Sequence, residues 1–471
     1  MSSALPNLTD MPTPALADVD LNALRERAVT TLRDNDVGVF TRPGTHQYPH
    51  QWNWDAALVA LGLYHIDPER ARVEVRGLLA GQWADGLVPH IIYHGGASHY
   101  FPQPEFWQTG HLTASPEIPT SGITQPPLLA TCLYKMHMRA CKKLEATPSP
   151  ATEMEHASSL AFLREVYPGV LAWHRWLHTT RDPEGDGLAA IIHPWESGTD
   201  NAARWIETLA RIKPENVPLY DRKDSVHVAG DERPFQGEYE RFIYLLDCFR
   251  RWRYDPKMLY ERSPFLVEDT LFNAVLHRAD RDLKAIAVLL GEATDELDTW
   301  LEATYVTYNE RLWFEHDGRY CPFDLRNTRL LVENDCATFM SLFANLASSQ
   351  RAKRLIYEHL CNAAAYAPCD PGMGQPTTFW VPSLAKTSLF YEPRRYWRGP
   401  AWVLMNWFVA EGLDNYNYHT LAENIRQHTL ALVAKSGFTE YYDPRDGSPA
   451  GATGFSWSAA LTLELLADHA E

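Results

Sequence analysis

The chain has 471 residues, 45% of them hydrophobic, which is enough for one large core or two ordinary ones, and no low-complexity tract divides it. A net charge of −17, with no compensating run of Lys and Arg, repels phosphate backbones and argues against nucleic acid as a partner. Apolar runs are broken by charge well short of the roughly 20 residues that cross a bilayer, so no membrane segment is expected.

The first residues, MSSALPNLTDMPTP, lack the basic and apolar regions of a signal peptide and read as a flexible tail over 1–17. Beyond them helical periodicity dominates. It predicts helices over 21–32, 67–79, 128–144, 160–177, 239–252, 265–290, 297–312, 336–346, 352–361, 402–413 and 459–467, and a helix over 201–212 is weighed with the acids that precede it. The start at Asp67-Pro68-Glu69-Arg70 is the clearest: an N-cap, a first-turn proline and an acid beside it. The spacing suggests paired antiparallel helices, so the expected class is all-α, in one domain over 18–471. Three segments, 86–125, 214–237 and 364–399, lack periodicity and are rich in Gly, Pro and aromatics. Loops that long usually carry function. The seven cysteines, at 132, 141, 248, 321, 336, 361 and 369, form no CxxC or CxxxC pair. They read as reduced thiols of a cytoplasmic protein. Oligomeric state is left open.

Six carboxylates sit among aromatics, glycines or polar side chains: Asp55 in QWNWDAAL, Asp85 in QWADGLVPH, Glu196 and Asp200 in HPWESGTDNAARW, Glu238 in GEYERF and Glu440 in FTEYYDP. Asp85 and Glu238 read as structural anchors. If 197–200 is a turn leading into a helix, one carboxylate of the Glu196/Asp200 pair can cap that helix while the other faces a pocket. Asp200 is the better chemical candidate, because Gly198 leaves space beside it and Trp195 supplies an apolar wall that raises its proton affinity. Sixteen Trp and twenty-two Tyr exceed what such a core needs, and indole faces are suited to stacking on sugar rings. Paired carboxylates with aromatic platforms are the requirement of glycoside hydrolysis. Glu440, between Gly437 and Pro444 and beside Tyr441 and Tyr442, is the candidate partner; taken alone it reads as a surface acid before a turn.

Eight segments then define a family: YPHQWNWDAALVALGL (48–63), QWADGLVPHIIY (82–93), YFPQPEFW (100–107), TSGITQPP (120–127), PWESGTDNAARW (194–205), RPFQGEYERF (233–242), YWRGPAW (396–402) and EYYDPRDGSPAGATGFSW (440–457). In content and order the chain resembles glycoside hydrolase family 63, and within it the bacterial glucosylglycerate and mannosylglycerate hydrolases. The resemblance implies an (α/α)6 barrel with a pocket at one end and hydrolysis with inversion. Asp200 matches the general acid and Glu440 the general base, which should lie roughly 6.5–9.5 Å apart with a water between them. Asp55 matches a carboxylate that binds sugar hydroxyls. Trp52, Trp54, Trp195, Trp397, Trp402 and Trp457 match the aromatic wall, with Gly198 beside the acid. Tyr48, Tyr100, Gln125, Arg233, Tyr239 and Tyr396 match positions that hold a glycerate. The implied substrate is a small glycosylated acid, mannosylglycerate or glucosylglycerate, with neutral α-disaccharides as the second reading. A sugar-binding protein without catalysis is disfavoured, since both Asp200 and Glu440 are present. A chain this acidic needs a local cation to accept an anionic substrate. Arg233 fits that role, unless it pairs with Asp231 or Glu232.

The chain departs from the family's usual ESGMDNSPRW by Thr199 and by Ala202-Ala203, which leaves the chemistry in place and alters the pocket near the sugar. The rim over 368–390 matches least. His46 with His50, and His94 with His99, are each half of a metal site at best, without an HExxH or a nearby acid to complete one, and read as hydrogen-bonding partners. Ser383-Leu-Ala-Lys386 has the S-x-x-K form without its companion motifs. No nucleotide or dinucleotide fingerprint is present. No metal and no cofactor are therefore expected.

Overall fold

The pattern of capped, amphipathic segments resolves into sixteen α-helices in a computed structural model that describes residues 16, 19–95, 99–369 and 378–470. The expected tail lies outside these residues except for Leu16, as does part of the 364–399 loop. The helices are α1 (Leu21–Asn35), α2 (Asn53–Tyr64), α3 (Pro68–Ala80), α4 (Pro104–Trp107), α5 (Leu129–Ala146), α6 (Pro150–Thr180), α7 (Ile206–Arg211) and α8 (Gln236–Arg251). They continue with α9 (Pro256–Arg262), α10 (Thr270–Leu290), α11 (Asp295–Arg311), α12 (Met340–Phe343), α13 (Ser349–Arg354), α14 (Val403–Asn415), α15 (His419–Ser436) and α16 (Ser456–Ala470).

Local chemistry explains the boundaries. Asp67 caps α3 by accepting from the Glu69 and Arg70 amides, with Pro68 in the first turn. The helix expected from 160 starts at Pro150, because Ser149 and Thr152 form a reciprocal capping box ahead of a polar first half. The one expected from 265 starts at Thr270, where Asp269 caps it, and Val267–Glu268 instead pair with Phe323–Asp324. The segment 201–212 is a 3-10 turn, Ala203–Trp205, followed by the short α7. The segments 336–346 and 352–361 likewise mix α-helix with 3-10 or π turns. The all-α expectation needs one correction: the helices are accompanied by short antiparallel ribbons, and one of them carries Glu440.

Helix α2 escaped the periodicity reading because every one of its residues is buried, and a helix apolar on all sides has no stripe to detect. It belongs to a closed cycle of contacts in which α2 touches α5, α5 touches α10, α10 touches α12, α12 touches α14, α14 touches α16, and α16 returns to α2. Five of these carry a further helix against them: α3 on α2, α6 on α5, α11 on α10, α15 on α14 and α1 on α16. One contiguous apolar core runs through the cycle. No helix among the described residues is long and apolar enough to cross a membrane.

Within the cycle α2 and α16 pack backbone to backbone, so that a Cβ built on Gly62 would lie 2.4 Å from Ala460 Cα. Backbone atoms cannot yield as a flexible side chain does, so Gly62→Ala forces the two helices apart. We expect it to lower unfolding free energy by roughly 1–3 kcal/mol, the range for overpacked cores, as read by urea denaturation.

Candidate active site

The stretch 193–205 is shaped by its own side chains. Burial pushes the His193 imidazole down to about 3. The neutral ring therefore accepts from the Trp195 amide at Nδ1 (3.0 Å) and meets the Phe242 carbonyl through Nε2 (3.1 Å). This starts a 3-10 turn over Pro194–Ser197 that ends at Gly198 with φ of 70°. A Cβ at Gly198 would lie 2.5 Å from the Trp54 ring, so glycine is required by both conformation and space.

Glu196 has the structural role, but not as a cap. Buried, it takes a two-pronged pair from Arg181 (2.9 and 2.6 Å) and accepts from the Ile192 and Thr124 amides. Thr199 Oγ1 receives Arg204 Nη2 (2.7 Å), and Arg204 is held in turn by Asp269 and Asp335. The departure to threonine at 199 thus belongs to a buried hydrogen-bond network. Between these anchors Asp200 faces a cavity, and no cation forms an ion pair with it among the described residues.

Glu440 is a buried strand residue, not a surface acid before a turn. The strand Thr439–Tyr442 pairs with Pro449–Thr453, and the register slips between Thr439 and Tyr441, a bulge of the kind that re-aims a side chain. Its Oε1 accepts from Tyr48 Oη (2.6 Å) and Arg233 Nη1 (3.3 Å), and its Oε2 from Arg233 Nη2 (3.0 Å) and the Ala452 amide (2.9 Å). These are donors only, which suits an anionic acceptor.

Arg233 therefore pairs with neither Asp231 nor Glu232. Glu232 instead pairs with Arg394 and accepts from the Gly451 amide. Arg233 is not a free cation awaiting an anion, because it is buried and its fork already holds Glu440.

These groups meet in one cavity. Of the sequence candidates, Tyr48, Trp52, Trp54, Asp55, Tyr100, Gln125, Trp195, Gly198, Asp200, Arg233, Tyr239, Tyr396, Glu440 and Trp457 line it. Trp397 and Trp402 are not part of that lining. They are buried and stacked on each other, with ring centres 3.8 Å apart. From there they back the wall, Trp397 against Trp54 and Trp402 against Trp457.

All three long loops contribute, through His90, Tyr100, Asp224, Arg233 and Tyr396. Sequence reading missed Gln47, His90, Phe101, Asp224, Pro234 and Phe455, which also line the cavity. All but Asp224 lie inside or beside a quoted motif; Asp224, paired with Arg222, has no such signal.

Burial pushes the Asp200 carboxyl up to about 8; Arg233 opposes the shift and Glu440 adds to it. Asp55, in the first turn of α2, is raised well above the carboxylate range by burial, with Glu440 and then Asp200 contributing. The arrangement can hold a proton on one carboxyl of the cavity and a negative charge on another, the combination that acid–base chemistry requires. Asp85 and Glu238 are structural as expected: Asp85 accepts from the Leu87 amide, and Glu238 caps α8 and pairs with Arg398.

His94 meets Gln51 (3.0 Å), while His50 packs among Trp52, Tyr93 and Tyr100 without a hydrogen bond. Ser383 accepts from the Gly399 amide, and Lys386 donates to the Ala367 carbonyl.

Residues 48–458 match the family described as mannosylglycerate hydrolase MGH1-like glycoside hydrolase domain. The chain is 42% identical over 438 residues to a mannosylglycerate hydrolase of Thermus thermophilus, covering 93% of this chain and 99% of that protein. It is 33% identical over 451 residues to a glucosylglycerate hydrolase of Mycolicibacterium hassiacum, covering 94% and 97%. A crystal structure of the family 63 mannosylglycerate hydrolase from Thermus thermophilus, in complex with Tris and D-glycerate, superposes with a TM-score of 0.84 at 41% identity, over 93% of this chain and 99% of that one. The fold is thus that of a glycoside hydrolase. Within that class the chain belongs to glycoside hydrolase family 63, in its mannosylglycerate hydrolase MGH1-like group.

Removing Arg181 leaves Glu196 as a buried charge with only backbone donors. Arg181→Leu is expected to cost about 3–5 kcal/mol of stability in urea denaturation. A loss below about 1 kcal/mol would mean that the pair does not hold the turn.

Proposed function

We propose that the chain hydrolyses mannosylglycerate or glucosylglycerate to free sugar and glycerate with inversion, on an (α/α)6 scaffold. The closed cycle of six helices, with outer helices against five of them, supports that architecture. The observation that carries the chemistry is the pairing across one cavity of Asp200, held protonated by burial, with Glu440, cradled by donors.

Asp200 gives its proton to the glycosidic oxygen as the bond to the anomeric carbon breaks. A water on the opposite face attacks that carbon while Glu440 takes the water's proton. The acid ends ionised and the base protonated, and exchange with solvent resets both. The two carboxyls should stand roughly 6.5–9.5 Å apart, leaving room for that water. Asp55, Trp52, Trp54, Trp195 and Trp457 hold the sugar, with Trp397 and Trp402 behind them. Tyr100, Gln125, Tyr239 and Tyr396 face the leaving group. A cytoplasmic setting is consistent with seven free cysteines.

Arg233 and Tyr48 serve both base and aglycone in this reading. All four donors on Glu440 are engaged before substrate arrives, so Oε1 takes a water only when a donor turns away. A substrate carboxylate that draws Tyr48 and the longer Arg233 contact, at 3.3 Å, releases Oε1 at the moment it is needed. A second reading is favoured by the same observation: with its fork on Glu440, Arg233 is not available to an anion, and the substrate is a neutral α-disaccharide.

Sugar release from mannosylglycerate, glucosylglycerate and neutral α-disaccharides separates the two. We expect cleavage of the glycerate compounds, loss of activity by several orders of magnitude in Asp200→Ala and Glu440→Gln, and a β-anomer as first product by NMR. An α-anomer, or turnover of neutral sugars alone, contradicts the proposal.

The pH profile supplies a second check. A group whose pKa is raised to about 8 stays protonated below that value and loses its proton above it, so the alkaline limb of kcat/KM should fall near pH 8. A limb near 5 would exclude Asp200 as the acid.

A further inference from the structure

On the packed face between α5 and α6, His137, Cys141 and His156 bring three ligand atoms within 4.8 Å of one another. His137 and Cys141 are four residues apart on α5, which places both side chains on one face of the helix. His156 comes from α6, which packs against α5, and its ring centre lies 5.3 Å from that of His137.

We propose that these three residues form a binding site for a soft divalent cation such as Zn2+, separate from the catalytic cavity. Zn–N and Zn–S bonds of about 2.0–2.3 Å in a tetrahedron put neighbouring nitrogen and sulfur ligands about 3.5 Å apart. Cys141 Sγ and His137 Nε2 stand 3.6 Å apart. Cys141 and His156 are half-buried, so they can turn to close the remaining distance, and a water completes the fourth position.

The support behind the ligands is in place as well. His137 is buried, and its Nδ1 faces Ser159 Oγ at 3.1 Å. That bond fixes the ring so that Nε2 points at the thiol, as outer hydrogen bonds do for metal-binding imidazoles. Binding would tie α5 to α6, a clamp on the scaffold rather than a part of the reaction.

Titration of the metal-free full chain with Zn2+ against a chromogenic chelator tests this. We expect one equivalent bound, and a thiolate-to-metal charge-transfer band in the near ultraviolet when Co2+ replaces Zn2+. Cys141→Ser and His156→Ala should each weaken binding at least about tenfold, and Ser159→Ala by about tenfold, with sugar release unchanged. Two ligand variants on different helices guard against a folding defect in one, provided their metal-free thermal midpoints match the parent. Absence of binding, equal Zn2+ affinity in both ligand variants and the parent, or a Co2+ complex without the thiolate band would overturn the proposal.

Discussion

The cavity depends on one buried ion pair, Arg233 with Glu440. A carboxylate with 1% exposure is stable as an anion only if charge and hydrogen bonds replace its water. Arg233 supplies two donors, and Tyr48 and the Ala452 amide supply the others. The pair joins a loop and a ribbon that lie 207 residues apart in the chain, so the chemistry forms only when the tertiary fold has closed. Asp200 receives no such support, and burial sets its proton affinity. Two carboxyls lining one cavity thereby sit in opposite environments, without any difference in their intrinsic chemistry.

Around that pair the scaffold works by exclusion. Helices buried on nearly every face, α2 and α14 above all, form the interior of the contact cycle. Loops too irregular to enter it form the cavity together with the first turns of α2, α8 and α16 and the ribbon that carries Glu440. The stacked Trp397 and Trp402 fill the space behind Trp54 and Trp457, so the indoles that line the cavity are backed by aromatic packing that limits their freedom to turn. The Glu196–Arg181 and Arg204–Asp269–Asp335 networks do the same for the turn bearing Asp200, at buried positions where a missing partner is costly.

Much of this was legible in the chain because the cavity is built from short contiguous motifs: QWNWD, PWESGTD and the stretch from Glu440 to Trp457 each bring several lining residues together. What could not be read were partners distant in sequence. Arg233 looked like an anion receptor because nothing local betrays Glu440, and Glu196 looked like a cap because its Arg181 lies in an ordinary helix end. The helix α2 was hidden by its uniform burial, and Asp224 by the absence of any pattern around it. Trp397 and Trp402 carry the composition of a sugar platform, and only packing separates the indole that lines a wall from the one behind it. The Cys141 site was overlooked for a related reason, since its third residue comes from a neighbouring helix.

The central claim is that Asp200 enters the reaction protonated because burial, and not a hydrogen-bonded partner, holds its proton. Infrared difference titration of the carboxyl C=O stretch in the substrate-free protein, compared with Asp200→Asn, reads that proton directly. The account predicts a protonated carboxyl that persists at pH 7, titrates near pH 8 and is missing from the variant. Identical titrations in the two proteins, or a carboxyl at Asp200 already ionised at pH 6, would contradict it.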